Sequence, residues 1–523
     1  MLVYGDRREI AEPAEQQQCL SRKLRLISAS APGLERHAKL VSCLIEAGRL
    51  VQGVEDAGYP AGELRAFLHR LAGCVVRSWD SRFAQLGELP PVPGSGFPAR
   101  VELRLPEGFA FYAVYPEAYA VAARRLRLKG PPRVIGIRSI GTTLGAVVAA
   151  TLGAPPATTV RPFGDPFARQ VELPPEIMDL TAHYVIVDEG PGLSGSSFAA
   201  VADWLQQRAV PLERIAFLPS HSGDLGPQAS TAHRQRWNRA QRVPAEFDAA
   251  FLAERFGPLE EFSTGSRWER RKYRATRGGE RLLLKFAGLG AIGERKLAMA
   301  RSLHAAGFTP QPLGLVHGFL VERWCEGSPL GQDEKPVREI GRYVGARARL
   351  FPADRHSGAS VEELLTMCRR NVSLALGPEA VRAVDRWEAS GLPQPVSRVR
   401  TDNKVDRHEW LRAPGGRLLK TDALDHHQAH DLIGCQAVEW DVAAAITEFA
   451  LDDAEAAGLI AATDCLIDPR LLQFYRLAYS AFRVGQAALQ ARSDPEVERR
   501  AEQLRGLLHQ HVCRETRHES LVG

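Results

Sequence analysis

The sequence contains no C-x-x-C pair. Its eight cysteines, Cys19, Cys43, Cys74, Cys325, Cys368, Cys435, Cys465 and Cys513, are scattered, which excludes a zinc ribbon and a disulfide framework. No uninterrupted apolar run approaches the ~18 residues of a membrane-spanning helix. The opening stretch MLVYGDRREIAEPAEQQQ has no apolar core of a secretory signal. A soluble, cytoplasmic protein without a membrane partner is therefore expected. Lysine is scarce beside arginine, and charge of neither sign dominates: 67 basic residues face 62 acidic ones, a net charge of +5. Spread over so long a chain, this is the charge of a solvated surface, and nucleic acid is not expected as a partner. Internal repeats and low-complexity tails are absent too, and the oligomeric state is left open.

What is present is length and alternation. A chain of 523 residues exceeds a single hydrophobic core, so several domains are expected. Residues 1–90 read as a helical segment, in which LERHAKLVSCLIEAGRLVQGVEDAGYP sets Leu40, Leu44, Leu50 and Val51 on one apolar face. The proline- and glycine-rich GELPPVPGSGFP then reads as a linker. Over 91–245, strand-like runs alternate with helix-like ones: FAFYAVYPEAYAVAARRLRL, RVIGIRSIGTTLGAVVAATLG, HYVIVDEGPGLSGSSF and RIAFLPSHSG. This predicts an α/β domain with a parallel sheet covered by helices. Over 246–523 the texture changes to a hairpin with a Gly-Gly turn, a helix, a strand pair and then mostly helix, which predicts an α+β domain.

The stretch YVIVDEGPGLSGSSF spells G-x-G-x-x-G. It is not a P-loop, because no lysine follows Gly195 to reach outer phosphates. A dinucleotide turn needs an acid at the end of the next strand, and Glu213 precedes that strand instead. A ribose 5-phosphate fits the residue order better. Asp188 and Glu189, after a buried strand, can accept hydrogen bonds from ribose hydroxyls. The N–H groups and hydroxyls of Ser194, Gly195, Ser196 and Ser197 open a helix and suit a phosphate. A helix cap beside ordinary loop acids is the plainer alternative.

This segment resembles the phosphoribosyl diphosphate (PRPP) signature of type I phosphoribosyltransferases, with Ser194-Gly195-Ser196-Ser197 standing for the phosphate loop. The loop is one residue longer than usual, so which acid meets which hydroxyl stays open. VIGIRSIGTTLGAVVAA has the form of the family's diphosphate loop, which implies diphosphate contacts from Arg138, Ser139, Gly141 and Thr142. VRPFGDPFARQVEL would be the hood, with Arg161 and Arg169 as phosphate contacts. The resemblance implies a PRPP or ribose 5-phosphate ligand, an unidentified acceptor, Mg²⁺, and displacement of diphosphate at the anomeric carbon with Asp188 and Glu189 as catalytic carboxylates.

The carboxy-terminal part resembles kinase-like folds of the aminoglycoside-phosphotransferase type. GGERLLLKFAG ends in Lys285 and Glu294 falls early in the next helix, which implies a nucleotide-binding pair and ATP as a cofactor. The family's H-G-D-x-x-x-x-N is not matched letter for letter. RVRTDNKVDRHEWL offers Asp402 as the catalytic base, and GGRLLKTDALDHH offers Asp422 as the metal-binding aspartate. Asp441, in EWDVAAAITEF, would brace the catalytic loop. A dedicated metal centre in TDALDHHQAHD, using His426, His427, His430 and Asp431, is a further reading. The expected protein is thus a phosphoribosyltransferase-like domain fused to a bilobal kinase-like domain after an amino-terminal helical segment. Its expected activity is phosphoribosyl transfer, with phosphorylation by the second domain as an added step. A PRPP- or nucleotide-sensing protein without catalysis, and a small-molecule kinase, are the alternatives.

Overall fold

The computed structural model describes residues 8–94, 96–165, 167–192, 194–226, 228–263, 270–427, 433–490 and 495–517. Two compact units emerge. One comprises Arg8–Arg295 and Leu313–Glu322, the other Lys296–Pro312 and the chain from Arg323 onward. The expected boundaries near residues 90 and 245 do not separate these units, and the reason is a shared core. Leu40, Leu44 and Leu71 of the amino-terminal helices, Val185 and Val187 of the parallel sheet, and Leu284, Phe286 and Phe319 of the next sheet belong to one buried apolar cluster.

In the first unit, helices α1 (Pro13–Ser28), α2 (Leu34–Asp56) and α3 (Gly62–Asp80) precede an irregular linker. Strands Arg8–Ala11 and Val101–Arg104 pair antiparallel. The opening of FAFYAVYPEAYAVAARRLRL, expected as a strand, instead forms the end of a short helix, Glu107–Phe111, and a turn at Ala113 with φ +51°. Helix α4 (Pro116–Ala123) follows, with proline in its first turn, where a missing N–H costs nothing.

The parallel sheet contains β1 (Pro132–Ile137), β2 (Thr158–Val160), β3 (His183–Val187), β4 (Ile215–Leu218) and β5 (Gln241–Arg242), in the spatial order β2-β1-β3-β4-β5. β3 is buried along its whole length. Val185 and Val187 face the large cluster, whereas Tyr184 and Ile186 face a second one with Phe198, Phe217 and Trp237. A strand buried on both faces is what an unbroken apolar run predicts. Helix α5 (Ile140–Leu152) follows β1, and α6 (Ser196–Gln206) follows β3. α2 and α3 pack on α5. The expected hood is a small exposed hairpin, Phe163–Asp165 against Ala168–Gln170.

Downstream lies an antiparallel sheet of β6 (Leu259–Glu261), β7 (Lys272–Arg277), β8 (Glu280–Phe286), β9 (Pro312–Val316) and β10 (Phe319–Arg323), ordered β6-β7-β8-β10-β9. Gly278 and Gly279, both with positive φ, make the β7–β8 turn. Helix α7 (Ala291–Ala305) is inserted after β8.

The second unit is mainly helical, with α8 (Val337–Leu350), α9 (Val438–Glu448) and the long helix Pro469–Gln490 among its helices. A small sheet pairs Ser328–Pro329 with β11 (Trp410–Arg412), and β11 with β12 (Leu418–Lys420). Among the described residues, no helix is long and apolar enough to cross a membrane.

Candidate functional site

The parallel sheet brings two of the predicted loops together. β1 and β3 are neighbours, with Gly136 in register with Val187, so the loops leaving their carboxyl ends share one edge. Gly141 makes this approach possible: a Cβ there would lie 2.5 Å from the Val187 carbonyl oxygen. Asp188 and Glu189 follow β3 directly. The Asp188 carbonyl accepts the Tyr119 hydroxyl at 2.7 Å, and Glu189 Oε2 accepts the Gly108 N–H at 2.8 Å. Beyond Leu193, which lies outside the described residues, the Ser194 hydroxyl donates to Ser196 Oγ at 3.0 Å. Gly195, at φ +64°, turns the chain into α6, and Ser197 is half-buried in its first turn.

Burial, and then the neighbouring Glu189, push the Asp188 carboxyl up to about 8. Burial, and then Glu107, push Glu189 to about 8. Folded-state values above the ordinary carboxylate range mean that the folded unit binds more protons than the unfolded chain between about pH 4 and 8. Stability therefore falls as pH rises through that window. Thermal melts should drop by a few degrees between about pH 6 and 9, and Asp188→Asn with Glu189→Gln should flatten that slope.

Arg138 does not stand free for a diphosphate. Its Nη1 donates to Asp56 Oδ1 at 2.9 Å, its Nε donates to Thr159 Oγ1 at 2.8 Å, and Glu55 Oε2 lies 3.1 Å from that Nε. Arg161 also binds Asp56, at 2.5 Å, and donates to the Arg138 carbonyl. The carboxyl end of α2 thus supplies the anions that the sequence reading assigned to a ligand. Burial raises the Asp56 carboxyl, but Arg161 and then Arg138 hold it below its usual range. Ser139 is half-buried and its carbonyl accepts the Thr142 N–H. Thr142 is buried, with its hydroxyl unpartnered. Arg169 bonds within the small hairpin, to the Gly164 carbonyl.

The second unit holds a denser cluster. Asp402 is fully buried. It accepts the Tyr343 hydroxyl, lies 3.2 Å from Lys420 Nζ and 3.2 Å from His426 Nδ1, and accepts the Val405 N–H at 3.3 Å. Burial alone would raise its carboxyl, yet Lys420 and then His426 hold it well below the usual range. A carboxylate so enclosed lacks the open approach that a base for a hydroxyl substrate uses, and in this structure Asp402, expected as the catalytic base, is the counter-ion of Lys420 and His426. Asp441 accepts the N–H groups of Asp402 and Asn403 at 2.8 and 2.9 Å, fixing this loop. Arg347, buried on α8, donates to the carbonyls of Arg400, Thr401 and Ala423.

Glu409 stands immediately before β11. Its Oε2 takes the Lys420 ammonium, and its Oε1 lies 3.7 Å from His426 Nε2. Asp422 Oδ2 is 3.6 Å from the same nitrogen. Two carboxylates thus converge on one point, and Asp422 is the more open of the two, its side chain 30% exposed. Burial would lower the His426 imidazole, but Glu409, Asp422 and Asp402 raise it to about 10. Asp425 is drawn away to Lys296, at 3.3 Å. His430 and Asp431 lie outside the described residues. Lys285 is buried on β8, and Glu294 is exposed in the first turn of α7.

Sequence reasoning missed Glu409, Lys420, Tyr343, Arg347 and Lys296. The readable signal was Lys420, a lysine in an otherwise apolar strand of a lysine-poor chain, which demands a buried acid.

No known family profile matches the chain, and no curated protein matches it. Solved structures similar to part of it include the choline kinase LicA from Streptococcus pneumoniae, at 13% identity and a TM-score of 0.37, over 51% of this chain and 97% of that one. The macrolide 2'-phosphotransferase MphH from Brachybacterium faecium is similar at 15% identity and a TM-score of 0.35, over 49% and 98%. A mutant of the aminoglycoside phosphotransferase APH(4)-Ia, in complex with ADP and hygromycin B, is similar at 17% identity and a TM-score of 0.35, over 51% and 97%.

Proposed function

We propose that the carboxy-terminal half is a kinase-type phosphotransferase domain that uses ATP with Mg²⁺ on a small hydroxyl-bearing acceptor. The observation that carries this reading is the convergence of Glu409 and Asp422 across the β11–β12 hairpin, beside a loop tied down by Asp441. In the H-G-D-x-x-x-x-N pattern, the final residue precedes the strands that lead to the metal-binding aspartate. Glu409 precedes β11, and Asp422 follows β12 by two residues. In that register Glu409 takes the asparagine's place, Lys404 the aspartate's and Asp402 the histidine's. Glu409 and Asp422 would hold Mg²⁺, an oxygen-seeking ion that offsets phosphate charge. Lys404, whose ammonium lies 3.7 Å from Asp406, would contribute charge and position instead of a base. Phosphoryl transfer tolerates this better than most reactions, because positioning and electrostatics dominate it. Lys285 keeps its proposed role as a nucleotide-phosphate contact.

The test is Mg²⁺-dependent ATP binding and γ-phosphoryl transfer by the full chain to a panel of hydroxyl-bearing small molecules. Binding abolished by Lys285→Ala and transfer abolished by Asp422→Asn are expected. Absence of Mg²⁺-dependent ATP binding would overturn the reading, and binding without transfer would leave a nucleotide-sensing module.

A second reading applies to the parallel sheet: a ribose 5-phosphate or PRPP ligand at the β3 edge. It is favoured by the order of Asp188 and Glu189 before Ser194 and Ser196 at the opening of α6. Phosphoribosyl transfer is the activity that order would serve. PRPP or ribose 5-phosphate should raise the melting temperature of the wild type by several degrees at ligand concentrations near 100 times Kd. Asp188→Asn with Glu189→Gln should remove the shift, and an unshifted wild type would refute the site.

A further inference from the structure

His37, Glu117 and His317 are separated by 80 and 200 residues in sequence and meet inside the first unit. Glu117 Oε1 lies 2.7 Å from His37 Nε2 and 2.9 Å from His317 Nε2. All three are buried: His37 is 0%, Glu117 2% and His317 5% exposed. Aromatic rings wall the cluster. Phe83 and Trp79 flank His37 at centroid distances of 4.9 and 5.9 Å, and Tyr115 and Phe251 flank His317 at 5.1 and 5.4 Å.

Two features set this cluster apart from an ordinary hydrogen-bonded core. First, Glu117 Oε2 is buried without a hydrogen-bond partner, while its Oε1 is shared by the two imidazoles. Second, the hairpin that delivers His317 is held for it. His317 sits between β9 and β10 at φ +41°, a left-handed conformation that disfavours side chains bearing a Cβ. The Tyr115 hydroxyl pins its carbonyl at 2.6 Å.

We infer that His37 Nε2, His317 Nε2 and the Glu117 carboxylate form a structural binding site for a divalent first-row transition cation, with zinc the best fit. Imidazole and carboxylate are the ligands such ions take, and a closed shell suits a structural ion. Metal binding through Nε2 requires the His37 proton on Nδ1, and Nδ1 has Ser78 Oγ at 3.0 Å as its acceptor, the outer-shell arrangement that orients a ligating histidine. Glu117 Oε2 supplies a further donor atom. Ligand bonds near 2.0–2.2 Å open each N···O pair by only about 0.5 Å. The ion would staple α2, α4 and the β9–β10 hairpin together, closing loops of 80 and 200 residues.

The experiment is metal analysis of the full chain after loading with zinc and exhaustive dialysis, together with cobalt substitution. Retention of about one equivalent is expected, along with visible cobalt absorption of a four-coordinate nitrogen–oxygen site. Glu117→Gln should retain less than about a tenth of an equivalent, and Asp422→Asn should retain the full amount. A strong chelator should lower the melting temperature of the wild type and leave that of Glu117→Gln unchanged. Failure of the wild-type chain to retain zinc or cobalt would overturn the inference, as would equal retention by Glu117→Gln. Should Glu117→Gln not fold, His37→Gln replaces it with the same loss of retained zinc expected, and undiminished retention by that variant would overturn the inference.

Discussion

Asp402→Ala should destabilise the protein by about 3–5 kcal/mol, lowering its melting temperature by roughly 10 °C. A substrate-facing catalytic aspartate would behave differently: its removal would stop turnover and leave stability nearly intact. The expectation rests on what Asp402 touches. Its carboxylate lies between Lys420 and His426, and Lys420 is itself fully buried. Removing the anion leaves two buried cations sharing Glu409, and it frees the Tyr343 hydroxyl, which also takes a bond from Arg347 at 3.0 Å. Leaving one partner of a buried pair uncompensated costs much more than the pair contributes in net terms. The double variant Asp402→Ala/Lys420→Met should therefore recover a large part of the loss, with a coupling of about 1–3 kcal/mol between the sites. Thermal melts of the two single variants and the double variant provide the measurement. Melts of Asp402→Ala that match the wild type would restore this residue to the list of substrate-facing groups.

Short-range patterns carried the sequence reading where chemistry and neighbours in sequence coincide. The run HYVIV is apolar throughout because helices cover both faces of the sheet, and the loop DEGPGLSGSS follows it because carboxyl ends of parallel strands deliver loops to one edge. The Gly278-Gly279 turn was legible for the same reason. Long-range pairings were not. Nothing near Arg138 in sequence announces Glu55 and Asp56, 82 or more residues earlier, so an arginine at a loop start reads as a ligand contact when it is already neutralised. The division of the chain was hidden similarly. Leu40, Val187 and Phe286 each look like members of local cores, and only packing reveals them as one. In the loop before β11, Asp402 is the aspartate that the kinase-like resemblance singles out. Glu409 escaped because its partners Lys420 and His426 stand well downstream and meet it only once β11 and β12 pair in register.

That register leads to the second large effect. Asp422→Asn should reduce Mg²⁺-dependent phosphoryl transfer by about 10²–10³-fold, while changing the melting temperature by no more than about 2 °C. Asp422 has a partly exposed side chain, 3.6 Å from His426 Nε2, whereas Asp402 is fully enclosed. Stability and activity should therefore separate at this position as they do not at Glu409, whose loss would strip Lys420 of its other carboxylate. Lys404→Ala supplies the contrast. If Lys404 contributes charge and position, its removal should cost about tenfold or less, with ATP affinity retained. Steady-state rates at saturating Mg²⁺, paired with nucleotide binding by calorimetry, distinguish the two. A deeper loss for Lys404→Ala than for Asp422→Asn would mean that the ammonium, and not the carboxylate pair, carries the chemistry of this loop.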